Sequence, residues 1–195
     1  DSRATYKTSD LDLRTYKRIK MFVHAEGEVD DLNDGDLSCF LRLGTDFTAN
    51  YYEYEILLEP TEHGSTSAND IWPSQNEIDI AFEIFQQAKQ DRNYNNSDVS
   101  SPYIKYTSGG KVTVLGNPNL AQVKTIMIGV RNPKKKSMED TDDGLPKCGQ
   151  IWVNELRITE FDEQGGWAAN SRVTARLADF GNVTLSGSMS TIGFG

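Results

Sequence analysis

The sequence predicts an all-β domain: a mostly antiparallel β-sandwich of jelly-roll type with one short helix, followed by a C-terminal amphipathic β-hairpin. Three observations predict it. Seven or so runs of strand-forming residues follow one another, separated by turn signals. One stretch alone, Ala81–Arg92, carries helical spacing. Past Trp167 the chain changes to strict alternation over two segments. The expected division is a soluble sandwich over residues 14–167 and a hairpin over 168–195.

Asp1–Leu13 is polar and expected to be loose. Tyr16–Ala25 alternates, with Ile19, Met21 and Val23 on one face and Arg18, Lys20 and Phe22 on the other, which is a half-buried strand. The acidic stretch Glu28–Asp36 closes on the turn signal Asn33-Asp34-Gly35-Asp36. Leu37–Leu43 and Tyr51–Leu58 read as two strands joined around Gly44–Asn50.

Ser74 and Glu77 have capping-box spacing, but Ile78, Ile80 and Phe82 alternate like a strand. The helix is therefore set at Ala81–Arg92, with a short extended lead-in. Tyr103–Thr107 and Lys111–Leu115 pair across Ser108-Gly109-Gly110, and Val123–Arg131 is a further strand.

Cys148–Phe161 is the longest strand-like run. Its apolar residues fall on both sides, which predicts a buried or central strand. The Asn154-Glu155 step predicts a bulge.

In the tail, Val173, Ala175 and Leu177 lie opposite Arg172, Thr174 and Arg176. Val183, Leu185 and Met189 lie opposite Thr184, Ser186 and Ser188, and Asp179-Phe180-Gly181-Asn182 joins the two segments. Alternating segments of about ten residues fit outer-membrane barrel strands. They fit a soluble amphipathic hairpin as well, and the pattern leaves both open.

Composition narrows the function. The net charge is −9, and no basic face stands out, which argues against nucleic acid as a partner. Lys134-Lys135-Lys136 runs straight into Glu139, Asp140, Asp142 and Asp143, and reads as a solvated loop. No run approaches the ~20 apolar residues of a membrane helix. Asp1 and Gly195 read as cuts, so the chain is expected to be a segment of a longer protein. Cys39 and Cys148 allow either a disulfide or two buried thiols in neighbouring strands.

Four constellations could carry chemistry. Glu77-Ile78-Asp79, with Glu83 beyond, resembles the E-x-D-x-x-E signature of the family-16 glycoside hydrolases, also jelly rolls. A retaining glycosidase needs two carboxyl groups ~5 Å apart. Here the last Glu of the motif is replaced by Ala81 or Phe82, and on a strand Glu77 and Glu83 stand ~20 Å apart. The acidic loop Asp30–Asp36 cannot be an EF-hand, because Leu32 and Leu41 fall on ligand positions. A looser calcium site or a solvated turn remains. His24 and His63 show no catalytic spacing with a nucleophile. Tyr51, Tyr52, Tyr54, Trp72, Trp152 and Trp167 could line a sugar-binding face or fill the core. No catalytic, cofactor or metal residue is assigned.

Several stretches then carry a specific likeness, in order and over nearly the whole chain. They are Tyr51–Ile56, Ile71–Pro73, Asn76–Ile80, Gly116–Leu120, Val123–Pro133, Ile151–Arg157, Gly165–Ala169, Leu177–Gly181 and Thr191–Gly195. Together they resemble the SprA/Sov proteins, the cell-surface gliding-motility and type IX secretion proteins of the Bacteroidetes. The resemblance implies a segment of a very large outer-membrane β-barrel that passes folded cargo to the cell surface. It implies no catalytic residues and no cofactor. The partners it implies are other secretion-system subunits, exported cargo, and the outer membrane through the full-length barrel. Two other classes stay in view: a carbohydrate-binding jelly roll, which needs exposed aromatics in one groove, and a glycoside hydrolase using Glu77 and Asp79.

Overall fold

In a computed structural model the structure describes residues 1–28, 32–133, 145–161 and 167–191. Lys134-Lys135-Lys136, the acids after it, Asp30-Asp31, and Gly165-Gly166 lie outside the described residues. The chain forms two compact units, Asp1–Phe161 and Asp162–Gly195.

The first unit contains β1 (Ser2–Leu11), β2 (Tyr16–Gly27), β3 (Ser38–Gly44), β4 (Tyr51–Leu57), the single turn α1 (Ala68–Ile71), β5 (Ile78–Ala81), α2 (Phe82–Tyr94), β6 (Tyr103–Thr107), β7 (Gly110–Leu115), β8 (Val123–Arg131) and β9 (Gly149–Phe161). Two antiparallel sheets result, ordered β1-β8-β3-β4-β7-β6 and β5-β2-β9. Alternation sends one face of each into a shared core. Ile19, Met21 and Val23 of β2 and Ile78 and Ile80 of β5 meet Leu41 and Leu43 of β3, Tyr52 and Ile56 of β4, and Val112 and Val114 of β7. Helix α2 adds Phe82, Phe85 and Ala88, and Phe85 packs 5.4 Å from the Tyr52 ring. The expected sandwich with one main helix is present.

Four local expectations are corrected. Residues 2–11 are not loose. They form β1, held mainly by main-chain pairing with β8, with Leu11 packed on the core margin and Tyr6 against Phe47 at 4.8 Å. A polar edge strand of this kind blunts edge-to-edge association.

Ser74 caps no helix. Ser74–Asn76 is a single 3₁₀ turn, and α2 begins only after β5 has paired with β2, with Ala81 as an N-cap that gives no side-chain bond.

The long strand β9 is neither central nor buried. Among the described residues it pairs only with β2, and its side chains are largely exposed. Because β2, β5 and α2 already close the core, only Ile151 and Ile158 of β9 pack on its margin. The expected bulge is there. Lys20 opposes Arg157 and Phe22 opposes Asn154, so Glu155 and Leu156 share the place opposite Met21, with Glu155 at φ +53.

Finally, Cys39 and Cys148 form no disulfide and are not two buried thiols. Cys39 is buried in β3, whereas Cys148 is exposed and its thiol donates to Glu28 Oε2 at 3.5 Å.

The neighbouring strands β3 and β4 are both buried on two faces. On the outer face of β4 Glu53 and Glu55 are each only 4% exposed. Arg42 reaches Glu53 at 2.5 Å, Arg131 bridges Glu53 and Glu55, and Lys111 meets Glu55 at 3.0 Å. The guanidinium of Arg42 lies 3.8 Å over Tyr51, and that of Arg131 lies 4.5 Å over Phe40. Phe40 can lie there because residue 129 is glycine, where an added Cβ would meet its ring at 2.3 Å.

The second unit is a hairpin of β10 (Ala168–Leu177) and β11 (Gly181–Ser190). Trp167 and Thr191 close its open end, with Thr191 N–H donating to Trp167 O at 3.0 Å.

Candidate functional site

Along β2 the residues that do not enter the core face outward, and the register with β9 carries that face across. Phe22 opposes Asn154, His24 opposes Trp152 and Glu26 opposes Gln150. The His24 ring is fixed. Its Nδ1 lies 2.8 Å from Ile71 O, a group that can only accept, so Nδ1–H donates there. Thr61 Oγ1 lies 3.0 Å from the same nitrogen and donates in turn to Asp70 O. Trp72 covers this patch, with its ring 5.8 Å from His24 and 6.4 Å from Phe22. The guanidinium of Arg157 lies over the Phe22 ring, at 5.4 Å. Of the predicted aromatics, Trp72 and Trp152 therefore share one sheet face. Tyr51, Tyr52 and Tyr54 are buried and belong to the packing instead.

The predicted acids do not converge. Asp79 sits in β5 between Arg18 at 2.6 Å and Lys20 at 2.8 Å. Partial burial pushes its carboxyl up, but the bonds from Lys20 and Arg18 outweigh this, and its pKa is lowered. A carboxylate held ionised between two cations is in the setting of a structural ion pair, not of a proton donor. Glu83 lies in the first turn of α2 and accepts a bond from Gln87 at 3.0 Å. The expectation of solvated acids fails at Asp79, because β2 places Lys20 opposite it and Arg18, opposite Ala81, within reach on the same face.

In the acidic loop Asp36 is nearly buried. It accepts from Asn33 N–H at 2.9 Å and pairs with Lys147 at 2.9 Å. Among the described residues no group of three or more His, Cys, Asp or Glu could hold a metal ion. His63 meets Glu26 at 3.5 Å, and Glu26 also faces His24 at 3.6 Å.

The hairpin separates an apolar from a polar face, apart from Ser171, which opposes Gly187 on the apolar side, and Ala168, which opposes Ser190 on the polar side. Val173 opposes Leu185, Ala175 opposes Val183 and Ala169 opposes Met189 on one side. Arg172 opposes Ser186, Thr174 opposes Thr184 and Asn170 opposes Ser188 on the other. All these side chains are exposed.

A protein-family profile, SprA_N, described as motility related/secretion protein, matches residues 1–195, the whole chain. The chain belongs to the SprA_N family. Among curated proteins none matches it. Membership gives the SprA_N chain a motility- and secretion-related role and agrees with the likeness read from its sequence. Among the described residues of this SprA_N chain no helix is long and apolar enough to cross a membrane, which leaves strands untouched.

Sequence reasoning missed two features of the SprA_N chain. The ladder of Arg42, Glu53, Glu55 and Arg131 has residue types that look solvent-facing, and only the strand order brings them together. Gln150 and Asn154 flank Trp152 at two-residue spacing, a signal visible in the sequence but unreadable until the outward face of β9 is known.

Proposed function

We propose that this chain is a non-enzymatic structural and interaction segment of a large outer-membrane protein-secretion translocon, needed for gliding motility and for export of proteins to the cell surface. Its partners are the other secretion-system subunits, exported cargo and, through the full-length barrel, the outer membrane. Nucleic acid is not among them. The observation that carries this reading is the face separation of β10 and β11. Each strand has ten residues, which span ~33 Å along the strand and, at a tilt of ~45°, roughly the apolar band of a bilayer. Val173, Leu185 and Val183 then face lipid, and Arg172, Thr174 and Ser186 face a polar lumen.

The test places lysine on either face in the full-length protein. A lysine on the lipid face of a barrel costs about 2–4 kcal/mol near mid-bilayer. Val173→Lys with Leu185→Lys is expected to prevent assembly in the outer membrane and to abolish surface export. Thr174→Lys is expected to leave assembly intact. Equal tolerance of both faces would overturn the reading.

A further inference from the structure

We propose that the outer face of the β5-β2-β9 sheet is a glycan-binding platform for an uncharged polysaccharide, centred on Trp152 and the two carboxamides beside it. Gln150, Trp152 and Asn154 point to one face of β9, each ~6.6 Å from the next at ~3.3 Å per residue. Trp152 is 60% exposed, and no aromatic ring packs on it among the described residues. Its ring is thus open to the C–H face of a sugar. Gln150 and Asn154 are exposed, and their side-chain amides spend no hydrogen bond on the described residues. Each amide offers donors and acceptors together, the combination that paired sugar hydroxyls require. Across the register the His24 ring is buried, and the partly exposed Trp72 packs against it and extends the surface; the bonds from His24 to Ile71 and Thr61 hold this support in place before any ligand arrives.

Charge fixes the class of ligand. Arg18 and Lys20 are taken up by Asp79, and Arg157 by Glu155 at 3.1 Å. At the other end Glu26 stands beside His24 and His63. The cations are already paired, so the face offers no unspent positive field to a polyanion, and a neutral chain is what complements it. The platform does not depend on the hairpin. Its failure would leave the translocon reading standing, and the reverse holds too.

The test is native affinity electrophoresis of the 195-residue chain in gels containing neutral glucans, a galactomannan or, for contrast, polygalacturonate. Retardation by at least one neutral polysaccharide and not by polygalacturonate is expected. Trp152→Ala should weaken that retardation by roughly tenfold or more, and Gln150→Ala or Asn154→Ala by a smaller factor each, since the stacked ring covers more of the ligand than a single amide contact does. Phe161→Ala, an exposed aromatic elsewhere on β9, should bind like the parent. Unchanged circular dichroism in Trp152→Ala guards against misfolding. No retardation by any neutral polysaccharide, retardation by polygalacturonate alone, or full binding by a folded Trp152→Ala would each overturn the proposal.

Discussion

Arg42 and Glu53 face each other across β3 and β4, and their side chains meet at 2.5 Å on a face where Glu53 is almost wholly removed from water. Arg131 binds the same carboxylate at 3.2 Å, and Lys111 and Ser38 hold Glu55 next to it, at 3.0 and 2.6 Å. Buried charges persist only when paired and hydrogen-bonded, and this ladder pairs each acid with two cations. The outcome is a sheet face covered by guanidinium groups lying over Tyr51 and Phe40.

Removing one partner should therefore cost far more than a surface ion pair would. Glu53→Ala leaves Arg42 and Arg131 facing each other without their acid, and is expected to lower unfolding free energy by about 3–5 kcal/mol. Chemical denaturation measures this. The double variant Arg42→Ala with Glu53→Ala should cost less than the sum of the singles, the sign of direct coupling. A loss under about 1 kcal/mol for Glu53→Ala would reduce the ladder to a solvated pair.

Much of the sandwich was legible because its period is simple. Ile19, Met21 and Val23 alternate, and all three are buried. The helix was legible from Phe82 and Phe85, and the hairpin from the strict alternation of residues 172–178 and 183–190. What misled was burial. Apolar residues on both sides of β9 specify a strand, but not whether another layer lies beyond its edge. Glu53 and Glu55 mark a polar face, but not that Arg131 comes back over them from a strand far along the chain. For the same reason Trp72 and Trp152 were legible as candidates, while the His24 that links them came only with the register and the packing.

The two cysteines should separate cleanly by reactivity. Burial pushes the Cys39 thiol up to about 12, with Glu55 adding to the effect, so almost no thiolate exists at neutral pH and no reagent can reach it. Cys148 is exposed. Native chain treated with iodoacetamide is expected to carry the label on Cys148 alone, and denatured chain on both, as read by peptide mass spectrometry. Native labelling of Cys39 would show that β3 opens readily.

Acid should unfold the first unit through a few identifiable carboxyls. Asp46 has its pKa lowered, first by the backbone N–H of Ala49 and further by Asn50 and Thr48, against the opposing push of burial. Asp36 and Asp79 are pushed up by burial, but Asn33 and Lys147 outweigh this for the one, and Lys20 and Arg18 for the other. Each of these groups binds a proton less readily folded than unfolded. As the pH falls below the ordinary aspartate value of about 3.9, the unfolded chain takes up protons first, so stability is present above that value and lost below it. Urea midpoints measured downward from about pH 5 should fall steadily through this window. Asp46→Asn should start lower, because the neutral amide is the weaker acceptor for those backbone N–H groups, and should fall less steeply, because one linked proton is gone. A parent midpoint that stays level across the window, or an Asp46→Asn slope as steep as the parent's, would remove Asp46 from the set of acid-linked groups.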